Sequence, residues 1–375
     1  MLQGVDKMKD LLVKEFKPKS LLNLADNAPP RARFPVIDAH NHLFGDVPAA
    51  ELVRGMDEAG IRVFLNVTGN VRLPYDESGY SIERRDLEVY LDNYCRSHPG
   101  RFAAFTMSDF ALWDEFSLFR NAENPDGSPQ RWVELCIRHL EEDVERGALG
   151  LKVTKELGLQ FRDNDGSMLP VDDRRLYPIW RRAGELNIPV LIHTSDPLGF
   201  FLPVDETNEH YQSLQEFVDW RFHDALFSKQ QLLEQRDRLV GEHPGTRFLL
   251  PHVANFPEDL EYVSEFLDSH ANAWIDISAR IDELGRQPYT AREFIIKYQD
   301  RILFGADMPP RPDIYRCYFR FLETRDEYFE YPDYIGRWGR SRWRIYGLGL
   351  PDEVLKKIYH ENALRLIPGL APIYG

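Results

Sequence analysis

Five side chains in this sequence have the types and spacing needed to handle a metal ion or a proton. Ile37-Asp38-Ala39-His40-Asn41-His42 closes an apolar run with an H-x-H pair. On a strand, alternation puts His40 and His42 on one face, where both imidazoles reach a single ion. The competing reading is two histidines in a surface loop. His193 ends the run Ile188 to His193, and His252 ends Phe248 to His252. A single histidine behind an apolar strand is commonly a structural residue, but two of them accompanying an H-x-H pair form a set. Asp307 follows Arg301-Ile302-Leu303-Phe304-Gly305-Ala306, where a carboxylate either binds a metal or caps the next helix. Imidazole and carboxylate together suit a divalent cation that activates water or polarises a substrate oxygen.

The elements that must position these residues follow from hydrophobic periodicity. Short apolar runs at Val36–Ala39, Ile61–Val67, Phe102–Met107, Leu149–Thr154, Pro189–His193, Phe248–His252, Trp274–Ser278 and Ile302–Ala306 read as strands. Amphipathic stretches separate them, at Ala49–Ala59, Ile82–His98, Trp132–Arg146, Asp173–Leu186, Lys229–His243, Asp259–His270 and Thr290–Gln299. Eight such alternations predict a (β/α)₈ TIM barrel, whose chemistry collects at the strand C-termini. The five candidate residues all fall there. Two stretches break the rhythm as insertions after strands 5 and 8. One runs from Asp196 to about Ser228; the other, Tyr331 to Leu350, carries Trp338, Trp343 and Tyr346. Residues 1–34 read as a turn-rich lead-in and 35–375 as the barrel domain.

The order and spacing of these motifs resemble the amidohydrolase superfamily, in particular the branch of aminocarboxymuconate-semialdehyde decarboxylase. The resemblance rests on the H-x-H of strand 1, the histidines of strands 5 and 6, Leu303-Phe304-Gly305-Ala306-Asp307, and the terminal Glu361-Asn362-Ala363-Leu364-Arg365. It implies that His40, His42, His193 and Asp307 hold one divalent ion, with His252 and Asp307 as catalytic groups moving protons. Zn²⁺ is the expected ion, with Mn²⁺, Fe²⁺ and Co²⁺ compatible. Lys152, in Gly150-Leu151-Lys152, stands where binuclear relatives carry a carbamylated lysine. A single ion beside an unmodified Lys152 that neutralises a substrate carboxylate is the preferred reading. Arg280 is a second candidate for an anionic group, against a salt bridge to Asp276 or Asp282.

Two reactions share such a site. Metal-activated water would hydrolyse a carbonyl, lactone or amide; alternatively, a small aromatic or unsaturated acid would lose CO₂ without oxidation. Hydrolysis is favoured as the default chemistry of this ligand set. A metal-free binding barrel is the third reading, and it would require a missing ligand.

The composition narrows the partners. Asp and Glu number 61 against 46 Lys and Arg, a net charge of −15 that repels nucleic-acid phosphates and anionic membranes. A small-molecule substrate, anionic if a local pocket is basic, is the expected partner, and homo-oligomerisation is compatible. Cys95, Cys136 and Cys317 are widely spaced and give no disulfide framework. Lys7, Lys9, Lys14 and Lys17 flank an apolar stretch, Leu11 to Val13, too short for a signal-peptide core. With no membrane-length apolar run, a cytoplasmic protein is expected.

Overall fold

A computed structural model describes residue 12 and residues 18–45, 47–76, 79–111 and 117–375. Lys7, Lys9, Lys14 and Lys17 lie outside the described residues. Residues 18–34 carry no helix or strand. They are tied to the body where Asn27 donates from its backbone N (2.8 Å) and Nδ2 (2.6 Å) to the Asp326 carboxylate.

The eight expected strands form: β1 Val36–Asn41, β2 Ile61–Asn66, β3 Phe102–Ala104, β4 Leu151–Val153, β5 Val190–Ile192, β6 Phe248–Leu250, β7 Ala273–Asp276 and β8 Ile302–Leu303. They pair in parallel, β1-β2-β3 in one run and β8-β7-β6-β5-β4 in the other. Backbone bonds join the two runs at both junctions. Between β3 and β4, Thr106 N donates to Gly150 O (3.0 Å) and Lys152 N to Thr106 O (2.7 Å). Between β8 and β1, Ala39 N donates to Phe304 O (3.0 Å) and Asp307 N to His40 O (2.9 Å). The ring of strands is thereby closed as a barrel.

Helices follow the strands around the outside: α1 Ala49–Ala59, α2 Leu87–Tyr90 continuing in a wider turn over Leu91–Arg96, α3 Pro129–Arg146, α4 Tyr177–Glu185, α5 Lys229–Glu242, α6 Leu260–Ser269, α7 Pro288–Lys297 and α8 Pro312–Glu323. Local chemistry sets their ends. Ser128 caps α3 ahead of Pro129, and Ser228 with Gln231 forms a reciprocal capping box on α5. Helix α8 is absent from the sequence reading, because Pro309, Pro310 and Pro312 mark a turn more strongly than the following residues mark a helix.

Alternation divides the core into two layers. Ile37, Val63, Leu65, Leu191, Leu249 and Leu303 point inward, and Ala363, Leu366, Ile367 and Leu370 plug that interior at the strand N-termini. The outward set, including Val36, Phe64, Phe102, Val190 and Phe248, packs beneath the helices. Filling the lower barrel this way leaves only the strand C-termini for chemistry. The insertion after β5 folds into short turns at Leu198–Phe201, Tyr211–Glu216 and Val218–Trp220. The second aromatic stretch lies beyond α8 rather than directly after β8, and Tyr334 brings it back against Phe200 and Trp220. Among the described residues, no helix is long and apolar enough to cross a membrane.

Candidate metal and proton-transfer site

Backbone strain gathers at the strand C-termini. His252, Val253, Ala254 and Asn255, directly after β6, are four successive residues in the left-handed region with φ of 58, 56, 52 and 58°. Each non-glycine residue there costs about 1–2 kcal/mol, most for β-branched Val253. Ala279 after β7 (φ 49°) and Asp307 after β8 (φ 47°) repeat the feature. The sharp turn cuts β6 short at Leu250 and directs His252 into the mouth.

Two overlapping groups of donors meet in that mouth: His40, His42 and Asp307, and His40, His252 and Asp276. Asp307 is no helix cap, since α8 begins at Pro312 with Arg311 in the cap position. His193 falls outside both groups, but its ring centroid stands 4.6 Å from that of His252, which is 5.2 Å from that of His40. His42, His193 and Asp307 keep 13, 14 and 19% of their side-chain surface exposed, whereas His40 is sealed. The cluster thus opens to solvent on one side.

Hydrogen-bond partners fix the tautomer of each ring. His40 Nδ1–H donates to Asp276 Oδ2 at 2.9 Å. His252 Nδ1–H donates to the Ser278 carbonyl at 2.8 Å. Thr68 spends its hydroxyl proton on Asn66 Oδ1 (3.1 Å), so its oxygen accepts from His42 Nδ1–H at 2.9 Å. In all three, Nε2 carries the lone pair. His42 Nε2 then faces Asp307 Oδ1 at 3.3 Å, and His252 Nε2, without a hydrogen-bond partner among the described residues, faces Asp307 Oδ2 at 3.5 Å. Lone pairs set against a carboxylate repel unless a cation lies between them. Burial also holds His40, His42 and His252 well below the ordinary histidine pKa, in the neutral form that ligates. The residues therefore fit a divalent ion. His193 has the opposite tautomer: its Nε2–H donates to Ser195 O at 3.0 Å, leaving the lone pair on Nδ1.

The groups that orient these rings escaped the sequence reading. Asp276 accepts from Ser278 Oγ (2.5 Å), Ser278 N (3.0 Å) and His252 N (3.0 Å) besides His40. One carboxylate thus sets two histidines. Its signal was present: Asp276 and Ser278 share a face of an apolar strand, where a buried acid needs a reason. Arg280 accordingly pairs with neither Asp276 nor Asp282 at ion-pair distance. It meets, at 3.9 Å, Asp196, which also meets Lys155 and lies 3.5 Å from His193 Nε2. Lys152 is buried with Nζ 3.4 Å from His40 Nε2, and burial lowers its pKa to about 8 against the pull of Asp307 and Asp276. Asp307 is raised to about 6, by burial first, with Lys152 acting the other way.

Comparison with known proteins identifies the family and the fold. The amidohydrolase family model matches residues 118–369. The gamma-resorcylate decarboxylase of Rhodococcus jostii (strain RHA1) is 24% identical over 225 residues, 59% of this chain and 60% of that protein, so the match spans less than two thirds of the relative. A putative amidohydrolase from Staphylococcus aureus superposes with a TM-score of 0.53 at 16% identity, over 89% of this chain and 100% of the other. A dihydroxybenzoic acid decarboxylase from Polaromonas sp. JS666, solved with manganese and the inhibitor 2-nitroresorcinol, gives 0.50 at 16% identity, over 89 and 97%. At such identities the two superpositions speak for the fold.

Proposed function

We propose, on the premise that this chain belongs to the amidohydrolase family, that it is a divalent-metal-dependent carboxy-lyase releasing CO₂ from a hydroxylated aromatic acid. His40, His42, His193 and Asp307 would hold the ion, three through imidazole lone pairs and one through its carboxylate. When bound, the ion supplies positive charge that orients the substrate's carboxylate and neighbouring hydroxyl.

The observation that carries the reading is the pair of buried cations around the cluster, Lys152 against His40 and Arg280 on the adjoining wall. A neutral lactone or amide has no use for them; an anionic acid does. The curated relative, a decarboxylase, points the same way. Decarboxylation needs one proton delivered to the ring carbon as the carbon–carbon bond breaks and its electron pair stays on the ring. Asp307 and His252 face one another across the site and are the groups placed to pass that proton.

Hydrolysis is the second reading, and the lone pair on His252 Nε2 favours it, because that atom can take a proton from water. The two are separated by supplying the protein with Mn²⁺ or Zn²⁺ and offering dihydroxybenzoates alongside lactones and amides. Carboxy-lyase action yields CO₂ and the free phenol in equal amounts, and in D₂O one deuterium at the vacated carbon. Lactone or amide turnover without CO₂ from any acid would establish the hydrolase instead.

A further inference from the structure

Beyond the cluster, the wall of the mouth carries a second set of charges. Asp196, buried at the start of the insertion after β5, reaches both Lys155, just past β4, and Arg280, just past β7. Arg280 is 3% exposed, yet among the described residues its Nε has no hydrogen-bond partner, while its Nη1 donates to its own neighbour's carbonyl, Ala279 O, at 2.6 Å. A guanidinium edge left unfilled inside a protein is costly, since each unmet donor forgoes its bond to water. Aromatic rings flank both cations. Lys155 Nζ lies 6.0 Å from the centroid of Trp220 and 5.4 Å from that of Phe222, and the Arg280 guanidinium carbon lies 5.9 Å from that of Tyr334. Trp220 and Tyr334 meet at 5.8 Å, so the two inserted segments close on each other here. Lys155 keeps 15% of its side chain exposed, like the partly open residues of the cluster.

We propose that Lys155 and Arg280, bridged by Asp196, form a recognition point for a second anionic group on the substrate, making the preferred substrate an aromatic acid with two carboxylates. The inference rests on the carboxy-lyase reading for the reaction but not for the binding. One carboxylate would lie towards the ion and be lost. The other would take the unfilled edge of Arg280 and the ammonium of Lys155, with the ring between the aromatic side chains. Asp196, paired with both cations, offsets their mutual repulsion and keeps them on the same side of the mouth. A substrate with one carboxylate leaves the Arg280 edge unmet, which is how a buried donor discriminates.

The probes are 2-hydroxybenzoate and 2-hydroxybenzene-1,3-dicarboxylate, titrated calorimetrically into the metal-loaded full chain while CO₂ is measured separately. The dicarboxylate should bind about 10- to 100-fold more tightly, the contribution of one charge-assisted bond pair. Arg280→Gln and Lys155→Gln should each bring that ratio towards one, with Arg280→Lys keeping part of it and circular dichroism reporting the fold. Equal affinity for the two acids in the unaltered protein, or a ratio that survives both glutamine variants, overturns the recognition point. CO₂ release with no preference would leave the carboxy-lyase reading standing without it. A clear preference with no CO₂ from either acid would do the reverse.

Discussion

The imidazoles of His40, His42 and His252 depend for their tautomer on the groups their Nδ1–H bonds reach. Asp276 is the most heavily used, and Asp276→Asn puts a donor where His40 Nδ1–H needs an acceptor. The ring then turns or changes tautomer, and metal affinity should fall about 10- to 100-fold, as for other groups behind metal-bound histidines. Competition against a fluorescent chelator measures this, and unchanged affinity would remove Asp276 from the site. For His252→Gln the expected result is different. Metal content should stay close to that of the parent while kcat drops roughly 10²- to 10⁴-fold, the share of a positioned acid or base; His42→Ala should instead empty the site. Loss of metal from both variants would make His252 a ligand, with a second ion beside Lys152 as the better account. These histidines and Asp307 were legible in the sequence because each closes an apolar strand. Asp276 left only the trace of a buried acid sharing a strand face with Ser278, and Asp196 and Lys155 left none, because their roles come from contacts between distant segments.

At the scale of the element, the mouth is shaped by places where backbone conformation or close approach leaves no freedom. Gly305 in the β8–β1 junction is one: a Cβ there would fall 2.7 Å from His40 Cβ and 3.2 Å from His40 N. Gly305→Ala must push β1 outward, and metal occupancy by elemental analysis should fall even though the substituted residue binds nothing. Ala279 is the opposite case, a non-glycine residue held at φ of 49°. Ala279→Gly relieves the left-handed strain at some entropic cost, for a net gain of up to about 1 kcal/mol in urea unfolding. Periodicity located all eight strands, since burial on both faces makes parallel strands uniformly apolar. It overran their ends, as at Phe248–His252, because the apolar letters continue into a left-handed turn that only φ reveals. Helix α8 was missed where prolines outweighed periodicity, although Ile314, Tyr315 and Tyr318 bury one of its faces.

For the molecule as a whole, a charge of −15 surrounds a mouth proposed to hold an anion. Long-range repulsion slows the approach of an acidic substrate and is screened by salt within about 10 Å at 0.1 M. Raising ionic strength from low values should therefore increase kcat/KM for an aromatic acid severalfold with little change in kcat. A fall with salt would mean that the local cations dominate approach. The C-terminal plug carries a different consequence, one of timing. Strand β1 takes its outer neighbour from β8, and the inward faces of β1 and β2 are covered by Ala363, Leu366, Ile367 and Leu370. During synthesis from the N-terminus, the earliest strands must wait for residues 363–370 before their inner surface is dry. A nascent chain stalled ahead of residue 363 should stay protease-sensitive and bound by chaperones, and release past residue 370 should convert it in one step.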